Sequence, residues 1–195
     1  MKKILYFDTE TTGTDPVKNG IIQLSGMIEI DGEIREEFNF RMAPMDLDII
    51  NDQALAVNGI TRDQLKTYPS GPETYLKIVQ LFSKYIDRYD KLDKFYPSGY
   101  NVRFDLDFLN NFFRKNKDPY FGSYCNWRAI DALSIAHFLD YIGQLRLPDY
   151  KLATVCSHYK VPIQAHDALS DIKATRDLLT AFKALLPFSP INRHE

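Results

Sequence analysis

Residues 4–13 read Ile4-Leu5-Tyr6-Phe7-Asp8-Thr9-Glu10-Thr11-Thr12-Gly13. Four apolar residues closing on an acid are the pattern of a short buried strand, expected over residues 4–8. Residues i and i+2 of a strand point to the same side, about 7 Å apart, so Asp8 and Glu10 are delivered together to one face. An apolar strand cannot solvate two like charges, and a bound cation is the economical partner for them. A strand end in water with two solvated acids is the alternative. Thr11-Thr12-Gly13 then forms a small turn whose backbone N–H groups can approach a ligand closely.

Outward from that stretch the chain alternates in period. Residues 21–30 and 33–42 are strand-like runs joined by Asp31-Gly32, a pair suited to a type I′ hairpin turn. From Asn51 the pattern turns helical, with Gly59 suited to a helix end and Thr61 with Gln64 forming a capping box. Pro72 opens a periodic helix whose expected apolar face includes Leu76, Val79, Phe82 and Ile86. Residues 95–100 read as a strand. Helices are expected over residues 103–114, 131–142, 152–158 and 167–186, the last one ended by Pro187 and Pro190. Three strands followed by alternating helices and strands make an α/β fold, a mixed sheet flanked by helices. A single domain is expected over residues 1–187, with a short tail over 188–195.

Two further acidic features follow. Tyr100-Asn101-Val102-Arg103-Phe104-Asp105 lies at a strand-to-helix junction, where Asn101 can cap the helix and Asp105 occupies its first turn. Asp107 diverges from Asp105 by roughly 200° on that helix, so only one of them can face a site. Favourable interaction with the helix N-terminus would account for Asp105 without any site. His166-Asp167-Ala168-Leu169-Ser170-Asp171 is the third feature. Five helical positions turn the chain by about 500°, so His166 and Asp171 converge only if His166 precedes the helix. Asp167, at i−4 from Asp171, is the competing ligand on geometry alone.

The combined pattern is a strand ending in Asp-x-Glu, then Asn-x-x-Phe-Asp opening a helix, then His-x-x-x-x-Asp late in the chain. It resembles the DEDDh branch of the DnaQ-like 3′-5′ exonucleases. Asn58-Gly59-Ile60-Thr61, Ile130-Asp131 and the stretch from Lys151-Leu152 to Val161-Pro162 match that family as well. The resemblance implies a ribonuclease H-like sheet of three antiparallel strands followed by parallel ones. It implies hydrolysis of the 3′-terminal phosphodiester with release of nucleoside 5′-monophosphates, single-stranded DNA being favoured over RNA as substrate. On that model Asp8, Glu10, Asp105 and Asp171 hold two Mg²⁺ ions, with Mn²⁺ able to substitute, and His166 is the general base. Thr11, Gly13, Asn58 and Asn101 correspond to positions that meet the terminal nucleotide. Asn58 stands where many relatives carry histidine, and Tyr100 precedes Asn101 where histidine is frequent. Arg103 occupies a position often small in the family; a phosphate contact and a solvent-facing helix start are the two readings. Asp131 is expected to cap its helix rather than act in catalysis.

Composition narrows the class. Apolar residues make up 45% and charged residues 26% of 195 residues, ordinary for a globular protein and unlike collagen-like, disordered or disulfide-built chains. The net charge of −2 removes a globally basic nucleic-acid binder and predicts a short grip with shallow salt dependence. Cys125 and Cys156 have no CxxC partner and read as buried thiols of a reducing compartment. The N-terminal apolar run is too short for a signal peptide and no run approaches a membrane span, so a cytoplasmic protein with no membrane partner is expected. A polymerase partner or self-association is compatible with a lone catalytic domain. Three other readings compete: an RNA-directed enzyme of the ribonuclease T or oligoribonuclease type, an inactive DnaQ-like binding module or polymerase accessory subunit, and an aspartyl-nucleophile phosphatase. The last leaves His166 without a role.

Overall fold

The computed structural model describes residues 2–163 and 168–185. Strand β1 (Lys3–Thr11) carries the acidic stretch and continues three residues past the expected end, because its neighbour β2 (Ile21–Ile30) pairs with it antiparallel through Glu10 and Thr11. A bulge between Glu10 and Thr11 breaks that register just after the second acid and re-aims the chain. β2 turns into β3 (Glu33–Arg41) through Asp31 and Gly32, both at positive φ (52° and 90°), as a type I′ turn demands.

Three helices precede the next strand: α1 (Asp52–Val57), α2 (Arg62–Leu65) and α3 (Gly71–Ser83). The Thr61–Gln64 capping box opens α2 as expected. Pro72 sits in the first turn of α3 behind a Ser70 cap. The buried stripe of α3 is Thr74, Ile78, Leu81 and Phe82, and Leu76 is 65% exposed, which corrects its expected inward placement. The neighbours that bury the helix select a phase that a run of apolar residues leaves open. Ile86 is buried but lies beyond the helix end.

β4 (Tyr96–Gly99) then lies parallel to β1, and α4 (Val102–Lys115) follows it. Phe121–Ser123 form a 3-10 turn before β5 (Ile130–Asp131), parallel to β4, and α5 (Ala132–Tyr141). Two residues are too few for a period, and β5 escapes sequence reading for that reason. α6 (Leu152–Tyr159) and α7 (Ala168–Leu185) complete the described chain. The expected helix starts at Asp167, and the proline stop and tail over 187–195, lie outside the described residues.

The sheet order is β3-β2-β1-β4-β5, three antiparallel strands and then parallel ones, as the family resemblance implies. Alternation along β1 feeds two cores. Leu5 and Phe7 pack with Leu81, Phe82, Phe108 and Phe113 from α3 and α4. Ile4 and Tyr6 face the other way, against Met27 and Ile172 of α7. β1 is thus clamped between α4 and α7, and its polar C-terminal half emerges where both helices begin. Gly99 permits the closeness of that junction: a Cβ there would lie 3.1 Å from the Phe7 carbonyl and from Val102. Cys125 and Cys156 are buried thiols without a disulfide. Among the described residues, no helix is long and apolar enough to cross a membrane.

Candidate active site

Asp8 and Glu10 share a face of β1 and are half-buried, whereas Thr9 between them is buried on the opposite face. β4 stops pairing with β1 at Tyr6↔Ser98, which leaves the edge of β1 beyond that point without a strand neighbour. Asp105, in the first turn of α4, fills the gap. Its Oδ1 accepts from the Thr9 backbone N–H at 2.9 Å and from Thr9 Oγ1 at 2.7 Å. The side chain is 3% exposed. Two donors on one carboxylate oxygen hold the plane of the group and leave Oδ2 for another partner. Thr9 is the positioning residue that the sequence reading passes over. It lies inside the motif but points away from Asp8 and Glu10, and its role requires a helix from 96 residues later.

Asp171 comes from the first turn of α7, on the other side of β1. With Asp8 it lines a cavity of about 220 Å³ whose walls include Gly99, Tyr100, Leu152 and Thr175. Tyr100, one of these walls, donates its hydroxyl to the Tyr150 carbonyl. Glu10 and Asp105 do not line this cavity. Asp8 is therefore the joint of the arrangement, and its ionisation is opposed by burial first and then by Asp105, Glu10 and Asp171. These push its carboxyl well above the usual range. Asp105 is pushed up to about 7, mainly by burial, although the two Thr9 hydrogen bonds pull the other way. The fold brings all four acids of the motif into one electrostatic group.

A Thr9→Val variant tests the Thr9 hydroxyl. It keeps the backbone donor, so Asp105 should titrate higher and stability at pH 8 should fall by about 1–3 kcal/mol. The cost should shrink at low pH, where Asp105 is protonated. Urea denaturation at the two pH values reads this, and equal midpoints for both proteins at pH 8 would show the hydroxyl to be idle.

Other expected residues fall as follows. Asn101 stands at the N-cap position of α4 in a left-handed conformation (φ 61°, ψ 39°), and its side chain makes no capping bond, contrary to expectation. Its backbone N–H donates instead to Asp131 Oδ1 at 2.8 Å. Asp131 does cap α5, accepting from Leu133 N, and so ties the α4 turn to α5. Thr11 Oγ1 donates to the Gly13 carbonyl, and Asn58 Nδ2 donates to the Thr11 carbonyl at 3.0 Å. The first turn of the motif is thereby braced from α1. Gly13 has a packing reason, since a Cβ there would lie 2.5 Å from the Asn19 side chain. Asp107 faces away from Asp105 and pairs with Arg103. His166 and Asp167 lie outside the described residues. Away from the acids, Arg88 lies over the Tyr124 ring and Lys94 donates to the Gly122 carbonyl.

The family model RNase_T, described as exonuclease, matches residues 5–179. The chain belongs to the DnaQ-like 3′-5′ exonuclease family. The DNA polymerase III PolC-type protein of Halalkalibacterium halodurans is 28% identical over 183 residues, covering 91% of this chain and 11% of that protein. Its counterpart in Oceanobacillus iheyensis is 28% identical over 196 residues, covering 97% of this chain and 12% of that protein. The chain thus spans about a tenth of these curated relatives. Among solved structures, a zinc-bound E. coli exonuclease I–single-stranded DNA complex superposes with a TM-score of 0.78 at 22% identity, covering 96% of this chain and 41% of that one. E. coli exonuclease I bound to a dT13 oligonucleotide gives 0.74 at 21%, covering 94% and 41%. The fold of this exonuclease domain is ribonuclease H-like.

Proposed function

We propose that this chain removes nucleotides one at a time from the 3′ end of single-stranded DNA, releasing nucleoside 5′-monophosphates. The observation that carries the reading is the group formed by Asp8, Glu10, Asp105 and Asp171, in which burial and mutual repulsion oppose ionisation. A cost of that kind is maintained where a positive charge offsets it in the working state. The donor set is carboxylate oxygen, which suits hard divalent cations. Among the described residues no three His, Cys, Asp or Glu side chains stand together as a ready metal-binding group, so the fit is one of charge and donor type. The four acids would hold two Mg²⁺ ions, with Mn²⁺ able to substitute, and ions so held supply charge stabilisation to the attacking and leaving oxygens.

The remaining roles belong to the chain. Asp8 feels Asp105, Glu10 and Asp171 alike and would contribute to holding both ions. Thr9 fixes the Asp105 carboxylate. His166 would take the proton of the attacking water. Thr11, Gly13, Asn58 and Asn101 would meet the terminal nucleotide; the bond from Asn58 to the Thr11 carbonyl supports a shared surface for two of them. The oligonucleotide complexes of exonuclease I support DNA as substrate, and the PolC-type relatives support work beside a polymerase.

The test is degradation of 3′-labelled and 5′-labelled single-stranded DNA and RNA with Mg²⁺, Mn²⁺ or EDTA. Stepwise loss from the 3′ end, faster on DNA and abolished by EDTA, is expected. Internal cleavage, or undiminished activity in EDTA, would overturn the reading. Faster loss from RNA would move the substrate to the RNA-directed alternative.

A further inference from the structure

Arg103 and Trp127 form an exposed pair that the four-acid site does not use. Arg103 lies in the first turn of α4, two residues before Asp105, with its side chain 66% exposed. Its guanidinium is held by Asp107 through Nε–Oδ2 at 3.1 Å and Nη2–Oδ1 at 2.9 Å. The group lies over the Trp127 ring, 5.8 Å from its centroid. Trp127 is 50% exposed but fixed from below. Its ring meets Phe121 edge-on at 6.1 Å and 77°, and Gly122 leaves just enough room beside Nε1, where a Cβ would stand 3.3 Å away. The adjoining loop is anchored by the bond from Asn126 N to the Phe95 carbonyl.

Resting on the exonuclease reading above, we infer that Arg103 and Trp127 form a stacking platform for an unpaired nucleobase on the 5′ side of the scissile phosphate. A half-exposed indole on a fixed backbone offers the sequence-tolerant π surface that single strands use. Asp107 decides how Arg103 takes part. A guanidinium bound through two nitrogens to a carboxylate has its charge largely offset and its plane oriented, which disfavours a phosphate clamp and favours flat stacking. Position agrees: Asp105 and Arg103 share one helical turn but point in opposite directions, so the platform flanks the chemistry without touching it. The strand would be held by its terminal nucleotide and by one base further back, with little reliance on charge.

Trp127 is the chain's single tryptophan, so its emission reports this one place. In an Asp8→Asn variant, which prevents turnover, a dT5 oligonucleotide with Mg²⁺ should quench that emission saturably, and thymidine 5′-monophosphate should not. In the otherwise native enzyme Trp127→Ala should raise KM for dT5 by about tenfold with kcat within twofold, and Trp127→Phe should restore most of the loss. Hydrolysis of thymidine 5′-monophosphate p-nitrophenyl ester, which has no upstream base, should be unchanged. Arg103→Ala should raise KM for dT5 without altering its dependence on salt. If dT5 is degraded while emission stays constant, the platform is refuted and the exonuclease reading stands. If dT5 is not degraded at all and emission stays constant, both fail. A salt slope reduced by ~0.7 in Arg103→Ala would instead identify a phosphate contact and overturn the stacking role.

Discussion

Asp8→Asn is expected to abolish 3′-terminal hydrolysis and, in the same protein, to raise its stability at pH 8 in the absence of metal. The loss should reach about 10³-fold or more, because charge stabilisation of several kcal/mol converts at ~1.36 kcal/mol per tenfold. The gain in stability follows from the site's electrostatics. Asp8 and Asp105 both have carboxyls raised above their unfolded values, Asp105 to about 7 from 3.8. Between those pH values the folded state binds more protons than the unfolded one, so stability is fully present at low pH and is lost as pH rises toward 7. Above that Asp105 adds its charge to the buried group, and the raised Asp8 carboxyl loses stability in the same direction. Asp8→Asn removes the titrating carboxyl that feels all three others and should flatten the profile. Mg²⁺ or Mn²⁺ should raise the parent's Tm more at pH 8 than at pH 5, and should do so weakly in the variant. Thermal unfolding at the two pH values, with and without metal, is the measurement. A parent indifferent to both pH and metal, or an active Asp8→Asn protein, would remove the basis for the four-acid site.

His166→Ala should slow turnover by ~10²–10⁴-fold, the range of a lost general base, while leaving Mn²⁺ binding by calorimetry close to that of the parent. The separation matters because loss of an acid should damage both. An imidazole acts as base only when neutral, so the parent's kcat should fall as pH drops below about 6.5, the ordinary histidine value, and that limb should be missing from the variant's residual activity. Asp167→Ala is the companion measurement. Asp167 and Asp171 stand at i and i+4, so on a continuous helix they share a face. If Asp167→Ala loses metal binding while Asp171→Ala keeps it, the ligand on that segment has been misassigned.

Much of the fold is legible from local chemistry. The Asp31-Gly32 hairpin, the Thr61–Gln64 capping box, the Pro72 helix start and the Asp131 cap each depend on neighbours within a few residues, and each appears where the pattern places it. Leu76 was expected inside and is outside because a helix of mixed polarity can bury more than one stripe, and the packing of α3 on α4 and the sheet selects Ile78, Leu81 and Phe82. Asn101 fails as a side-chain cap because its left-handed backbone turns the N–H toward Asp131, 30 residues away. Strand β5 is too short to carry a period and exists only because β4 lies beside it.

The four acids and their order along the chain are a property of the sequence alone: an apolar strand that ends in Asp8 and Glu10 signals charge placed at a buried edge, whatever surrounds it. What the tertiary structure decides is how those charges stand to one another. It ends the β1–β4 ladder at Tyr6, so that a helix-borne carboxylate can take the vacated Thr9 donors. It also sets α4 and α7 on opposite sides of one strand, which makes Asp8 their common neighbour. Spacing along a chain specifies direction and period. Distance across 96 or more residues is a product of packing, and the repulsion on which the chemistry depends is a function of that distance.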